Sequence, residues 1–342
     1  MFDKAKLFYR DTEANIPILR CVFGVTFALI VATSLGYLVP HVTAIFTLMF
    51  LQPNKKPLGL KTEIILVFGL FILGYFGVII GKNLIDYPVV VLLVLGLIIF
   101  WSFRMVQIPQ MIRLLFLILA VLIPFVSLKA SALGSVVLLA LLFNLIIAYI
   151  TTRIAFFIFP LTPQEDITIN KATSNVFDKI NLDKMALNGL FVVFPFVFVC
   201  YLLNATVAIL TLVYVMLLSF DPFIHESKKA IVFVIANILG GLAGILVYNI
   251  LVIAPSYVLY ILLTINVAFY FVIHLYSNDK KAPIYKSGFN AFFVIMGTIS
   301  TSTSEAGNTV WGRLIQVSIA IIYVVLVSLI VNTFNNPKLS ND

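Results

Sequence analysis

The sequence predicts an all-α, polytopic membrane protein of about twelve transmembrane helices. Three observations predict it: the apolar bulk of the chain, apolar runs of membrane-crossing length, and the sidedness of its basic residues. Of 342 residues, 62% are apolar and 11% charged, whereas a soluble domain carries roughly 45–50% and about 25%. A water-soluble fold is excluded. A helix rising 1.5 Å per residue needs about 20 apolar residues to cross a hydrocarbon core of about 30 Å. Such runs recur from Pro17 to Val331.

The first run, 17–38, follows a mixed-charge stretch holding Lys4, Lys6 and Arg10. It is too long for a signal-peptide core and has no small-x-small cleavage site, so it is expected to remain as the first helix. Further spans are expected near 40–52, 62–81, 86–103, 111–127, 131–152, 185–203, 205–220, 229–251, 255–275, 288–300 and 309–332. With the N-terminus in the cytoplasm, the inner loops collect eighteen basic residues, among them Lys55, Lys56, Lys61, Arg104, Arg113, Arg153, Lys228 and Lys281; only Lys82, Lys129 and Arg313 fall outside. That bias follows the positive-inside rule. It places both termini in the cytoplasm and requires an even number of crossings. The net charge of +8 thus reports topology rather than nucleic-acid binding. Cys21 and Cys200 lie inside apolar segments, which argues against a disulfide framework and against a metal cluster.

The expected organisation is a cytoplasmic segment 1–16, a six-helix half 17–160, a polar linker 161–184, a second six-helix half 185–333 and a cytoplasmic tail 334–342. Sliding the chain by 167 residues matches Lys61 with Lys228, Gly74 with Gly241, Gly77 with Gly244 and Pro88 with Pro255; 11 of the 38 positions from Lys61 to Ile98 are identical in that register. The shared glycines and proline weigh more than the aliphatic matches. Six spans per half make both halves enter from the same side, a parallel repeat about an axis along the membrane normal.

The second and eighth spans are short and occupy equivalent places in the two halves, ending at Gln52-Pro53 and Asp221-Pro222. They share a pattern, Thr43-Ala44-Ile45 with Thr47 against Val207-Ala208-Ile209 with Thr211. Paired short segments point to a substrate site at a repeat interface, because half-helix N-termini offer N–H groups and a positive dipole to an anion. The plainer alternative is a thinly embedded helix whose hydroxyls bond to their own backbone. Arg20 and Arg313 could hold a substrate carboxylate, or mark the cytoplasmic boundary and pair with Glu305 respectively. Asn144, Asn237, Asn266 and Gln316 lie deeper, where they could contact substrate or bond between helices, and the bond between helices is the expectation. The glycines at 74, 77, 81, 240, 241 and 244 are expected to let backbones approach.

Enzymes need convergent reactive groups. His41, His225 and His274 are scattered without metal-ligand spacing, and neither H-E-x-x-H, G-x-S-x-G nor a P-loop occurs. No enzyme activity, cofactor or metal is expected.

The order of features resembles a family of bacterial inner-membrane proteins related to the fusaric acid resistance and aromatic acid exporter proteins. The stretches are Leu19-Arg20, Gln52-Pro53, Leu122-Ile123-Pro124, Phe159-Pro160, Asp221-Pro222, Gly240-Gly241-x-x-Gly244, Lys281-Ala282-Pro283-Ile284-Tyr285, and Arg313 followed by Tyr323. The resemblance implies a two-half, twelve-helix exporter of aromatic or other weak organic acids, working beside a periplasmic adaptor of the membrane-fusion type. The chain departs from larger members of that family in lacking their cytoplasmic domain, so assembly or regulation through that domain is not carried over. The expected site residues are Thr43, Thr47, Gln52, Thr211, Asp221, Arg20 and Arg313; the partners are an organic anion, the bilayer and the adaptor, with self-association left open. A passive organic-anion channel and a non-transporting scaffold for an adaptor are the rival readings.

Overall fold

The computed structural model describes residues 12–36, 38–53, 56–57, 59–84, 87–108, 110–127, 130–161, 182–203, 208–220, 227–277, 282–300 and 306–335. Among the described residues there is no strand, and a helix stands at each of the twelve expected segments. These are α1 (Thr12–Ser34), α2 (His41–Phe50), α3 (Leu60–Asn83), α4 (Pro88–Arg104), α5 (Gln110–Ser127), α6 (Ser131–Ile158), α7 (Leu182–Leu202), α8 (Ile209–Ser219), α9 (Ser227–Ile253), α10 (Tyr257–Leu275), α11 (Ala282–Ser300) and α12 (Ala306–Asn335). Six of them, α1, α3, α6, α7, α9 and α10, contain stretches long and apolar enough to cross a membrane. The chain is an all-helical membrane protein.

The solvent for which it is built shows in α3. Its outward face carries Ile64, Ile65, Phe68, Ile72 and Phe76, all exposed, while Glu63, Leu66, Leu70, Gly74 and Gly77 face inward. A helix in water has the opposite polarity, with charge outside and bulk inside. Large side chains facing out and small or polar ones facing in suit lipid.

The helices gather into two compact units. Unit 1 comprises 1–63, 143–177 and 236–310; unit 2 comprises 64–142, 178–235 and 311–342. Each therefore takes helices from both ends of the sequence, and α6 and α9 each contribute to both.

Unit 1 is organised around an apolar cluster of Cys21, Val25 and Leu29 of α1, Ala44 and Leu48 of α2, Ala268 and Val272 of α10, and Phe289 and Phe293 of α11. The closest helix pairs are α1 with α2, α1 with α10, α2 with α11, and α10 with α11. Phe271 and Phe289 stack across the last of these at 5.6 Å. The helix α9 joins through Gly240, where a Cβ would overlap the carbonyl of Gly288 on α11; only glycine lets those backbones meet.

In unit 2 the closest pairs are α7 with α8, α4 with α7, α5 with α8, and α4 with α5. Phe103 of α4 lies over Gly189 of α7 and stacks on Phe220, just past α8, at 4.2 Å. Both cysteines are buried and unbridged.

Candidate functional site

Helix α2 is ten residues long and α8 eleven, so at 1.5 Å per residue they extend only about 15–17 Å, half a hydrocarbon core. They are shorter still than the sequence suggested. The first turn of α2 is not a row of free donors: the Val42 amide bonds to the Val39 carbonyl and the Thr43 amide to the Pro40 carbonyl, each at 3.1 Å. This turns part of the expected anion-binding terminus inward on itself.

What α2 offers instead is a polar seam against α6, inside unit 1. The Thr43 hydroxyl donates to Asn144 Oδ1, and the Asn144 amide donates to the Leu38 carbonyl at 3.1 Å. One turn on, Thr47 meets Thr151 at 3.3 Å, and Thr47 also donates to the Thr43 carbonyl at 2.8 Å. All four side chains are buried. Because α6 advances as α2 advances, the two helices run in the same direction. Buried hydroxyls and amides in a membrane protein are usually held by partners on other helices, and here they are.

A titratable group stands near each end of the seam. His41 opens α2, buried, with Nε2 at 3.0 Å from the Tyr260 hydroxyl of α10. Beyond the other end, Arg153 Nε of α6 donates to Glu63 Oε2 of α3 at 2.8 Å. The hydroxyl of Tyr149, which stacks on Phe50 at 4.4 Å, is buried without a hydrogen-bond partner.

Arg20 is 2% exposed, with Nη1 donating to the carbonyls of Phe159 and Pro160 at 3.3 Å each and its guanidinium 4.5 Å from the Phe156 ring centre. Gln52 lies half-buried just beyond α2, and Thr211 is buried on α8. Asp221 lies outside the described residues; Arg313 falls within α12, and its side chain is outside them too. Of the seven expected residues, five have described side chains. Thr43 and Thr47 share the α2–α6 seam, Arg20 caps the end of α6, and Thr211 belongs to unit 2. Asn237 donates to Ser287 across α9 and α11 at 3.1 Å, as expected of a residue bonding between helices, whereas Asn266 is exposed and bonds to Leu262 of its own helix.

Sequence reasoning passed over two arrangements. Glu63 and Arg153 were recognisable only as charges near span ends; their pairing across 90 residues has no local signal. Arg113, read as an inner-loop charge, is instead buried in α5, donating to the carbonyls of Ser102 and Phe103 at 3.4 and 3.2 Å with Phe220 beneath it at 5.6 Å. Its Nε is buried without a partner.

No family model, curated protein or solved structure matches the chain.

Proposed function

We propose that this protein is a bacterial inner-membrane transporter that exports aromatic or other weak organic acids, and that it is built from two copies of one six-helix unit. The observation that carries the reading is a correspondence between helices six places apart. Replacing each helix by the one six places away converts the four closest pairs of unit 1 (α1·α2, α1·α10, α2·α11, α10·α11) into those of unit 2 (α7·α8, α7·α4, α8·α5, α4·α5). Glycine contacts follow the same rule. A Cβ on Gly77 of α3 would stand 3.3 Å from Ile123 of α5, and one on Gly244 of α9 would stand 3.0 Å from Ile295 of α11. The unit breaks after 63 and 142, moved by the sequence register of 167, fall within five residues of the breaks after 235 and 310.

Duplicated helical units with a short helix at equivalent positions are the architecture on which secondary transporters build substrate sites. The helices α2 and α8 are those elements. Twelve crossings with both termini cytoplasmic agree with the common direction of α2 and α6, which alternate crossing also requires. The substrate class and the periplasmic adaptor rest on the family resemblance. Within unit 1 the substrate contacts are assigned to the α2–α6 seam and Gln52, and within unit 2 to Thr211, Asp221 and Arg313.

The test is accumulation of labelled hydroxylated aromatic acids in cells with and without the protein, repeated after the proton gradient is collapsed. Lower accumulation that disappears with the uncoupler supports energised export. Faster equilibration that persists would make it a passive channel, and no difference at verified expression would favour the scaffold. Arg313→Ala is expected to weaken export at matched expression; unchanged export removes that residue from the site.

A further inference from the structure

Among the described residues, four acidic or basic side chains are buried: Arg20, His41, Glu63 and Arg113. Three of them lean on a charge or on carbonyls, Glu63 on Arg153, Arg20 on Phe159 and Pro160, and Arg113 on Ser102 and Phe103. His41 has neither. Its one hydrogen bond is from Nε2 to the Tyr260 hydroxyl, and Nδ1 is enclosed with no partner at all. The residue is 4% exposed, and its ring packs on Gly297 of α11, where a Cβ would stand 3.2 Å from the imidazole.

The backbone leading into this residue is strained. Val39 has φ +53°, a left-handed conformation that a β-branched residue adopts at a cost of about 1–3 kcal/mol. The amide of Asn144, bonded to the Leu38 carbonyl, holds that turn in place. Strain of this kind persists where the surroundings over-determine it, and it collects at switch regions.

We infer that His41 is a proton-binding site whose occupancy drives α2 away from α10 and α11. Neutral imidazole carries one donor and one acceptor, and Tyr260 serves either tautomer. Adding a proton from water at the free nitrogen makes both nitrogens donors and creates a positive charge. Around the ring, α10 presents Tyr260 with Tyr257 next along the helix, the latter bonded to Thr33 at 2.7 Å, and α11 presents Gly297. None of these is an anion. Among the described residues, the charged residues and histidines farther along the neighbouring helices are Glu13 and Arg20 of α1, Arg153 of α6, His274 of α10 and Lys286 of α11, each at least nine residues from the side chains at this end, about 13 Å or more at 1.5 Å per residue; Glu305 lies outside the described residues. An unpaired charge buried in a membrane protein is expensive. Protonation therefore favours a conformation in which the ring meets water, and by linkage that conformation is populated as pH falls. A histidine that meets water changes charge between about pH 5 and 8, so the water-facing conformation is the one that takes up the proton. The inference deepens the transporter reading and rests on it for its purpose: a proton that frees α2 from α10 and α11 is the coupling step such an exporter needs.

The experiment is hydrogen–deuterium exchange of the α2 amides in the full-length protein in lipid nanodiscs between pH 8 and pH 5, corrected for the chemical exchange rate. Wild type is expected to gain about tenfold or more in α2 exchange on acidification, since one linked proton shifts the equilibrium by up to tenfold per pH unit. His41→Gln should abolish the gain. The chain has three histidines, so a His225→Gln/His274→Gln variant leaves His41 alone and lets its ring nitrogens be followed by NMR, whether or not His41→Gln folds. In that variant ring protonation and α2 exchange should share one midpoint. An acid response that survives His41→Gln, a ring that titrates while α2 stays protected, or no response in wild type overturns the proposal. None of these readouts involves an organic acid, so a wild type that moves no substrate would defeat the transporter reading separately.

Discussion

Arg153 Nε and Glu63 Oε2 stand 2.8 Å apart, with the guanidinium side chain 42% exposed and the carboxylate side chain 10% exposed. The pair is therefore lopsided. Removing Glu63 leaves a cation that water or headgroups can reach, whereas removing Arg153 leaves a buried carboxylate without compensation. Breaking a fully buried pair costs about 3–5 kcal/mol, and Arg153→Gln should approach the lower end of that range while Glu63→Gln costs about 1 kcal/mol. The double variant should recover most of the loss. Unfolding midpoints in detergent decide it: equal losses for the two single variants would mean the burial asymmetry has no energetic weight.

Thr43 and Asn144 are joined across 101 residues. Asn144→Leu strands two groups at once, the Thr43 hydroxyl and the Leu38 carbonyl, while Thr43→Val leaves Asn144 its bond to Leu38. Asn144→Leu should be the costlier change, and a double-mutant cycle should give a coupling of about 0.6–1.7 kcal/mol, the range for hydrogen bonds between membrane helices. A coupling near zero would mean the two side chains do not depend on each other in the folded protein.

The helices were legible because each is an apolar run with a break, and the break residues Pro53, Pro88 and Pro255 are visible in one dimension. The short α2 was legible for the same reason. Its partners were not: hydrophobic periodicity says that Thr43 is on a helix but carries no information about which of the other helices bears Asn144. Arg113 was misread because an arginine near a span end looks like a loop charge whether it points to water or to the carbonyls of Ser102 and Phe103. The interleaving of the compact units was also hidden. Sequence adjacency suggests that consecutive helices cluster, yet α1 packs on α10, more than 220 residues on, and α4 on α7.

Arg20 satisfies the last carbonyls after α6 and lies over Phe156. A cation at a helix C-terminus contributes about 0.3–1 kcal/mol, and one over an aromatic ring about 0.5–2 kcal/mol. Arg20→Ala should therefore cost about 2 kcal/mol and Arg20→Lys about half of that, because an ammonium cannot reproduce the planar fork and its stacking. Export per folded molecule should stay near wild type in Arg20→Lys. A loss of export with unchanged stability would place Arg20 in the substrate site.

Gly240 and Gly312 separate the two meanings of a glycine in a membrane helix. At Gly240 a Cβ would overlap the Gly288 carbonyl, a backbone atom that cannot rotate away, so α9 and α11 must part to admit it. At Gly312 in α12 a Cβ would meet nothing within 4 Å. Gly240→Ala should destabilise by about 1–3 kcal/mol through overpacking, while Gly312→Ala should be neutral or stabilise by up to about 1 kcal/mol through helix propensity. Both can be read from unfolding midpoints at matched detergent concentration. A Gly240→Ala variant as stable as wild type would require α9 to lie farther from α11 than the close contact of Gly240 with Gly288, and the packing of unit 1 would have to be redrawn around that helix.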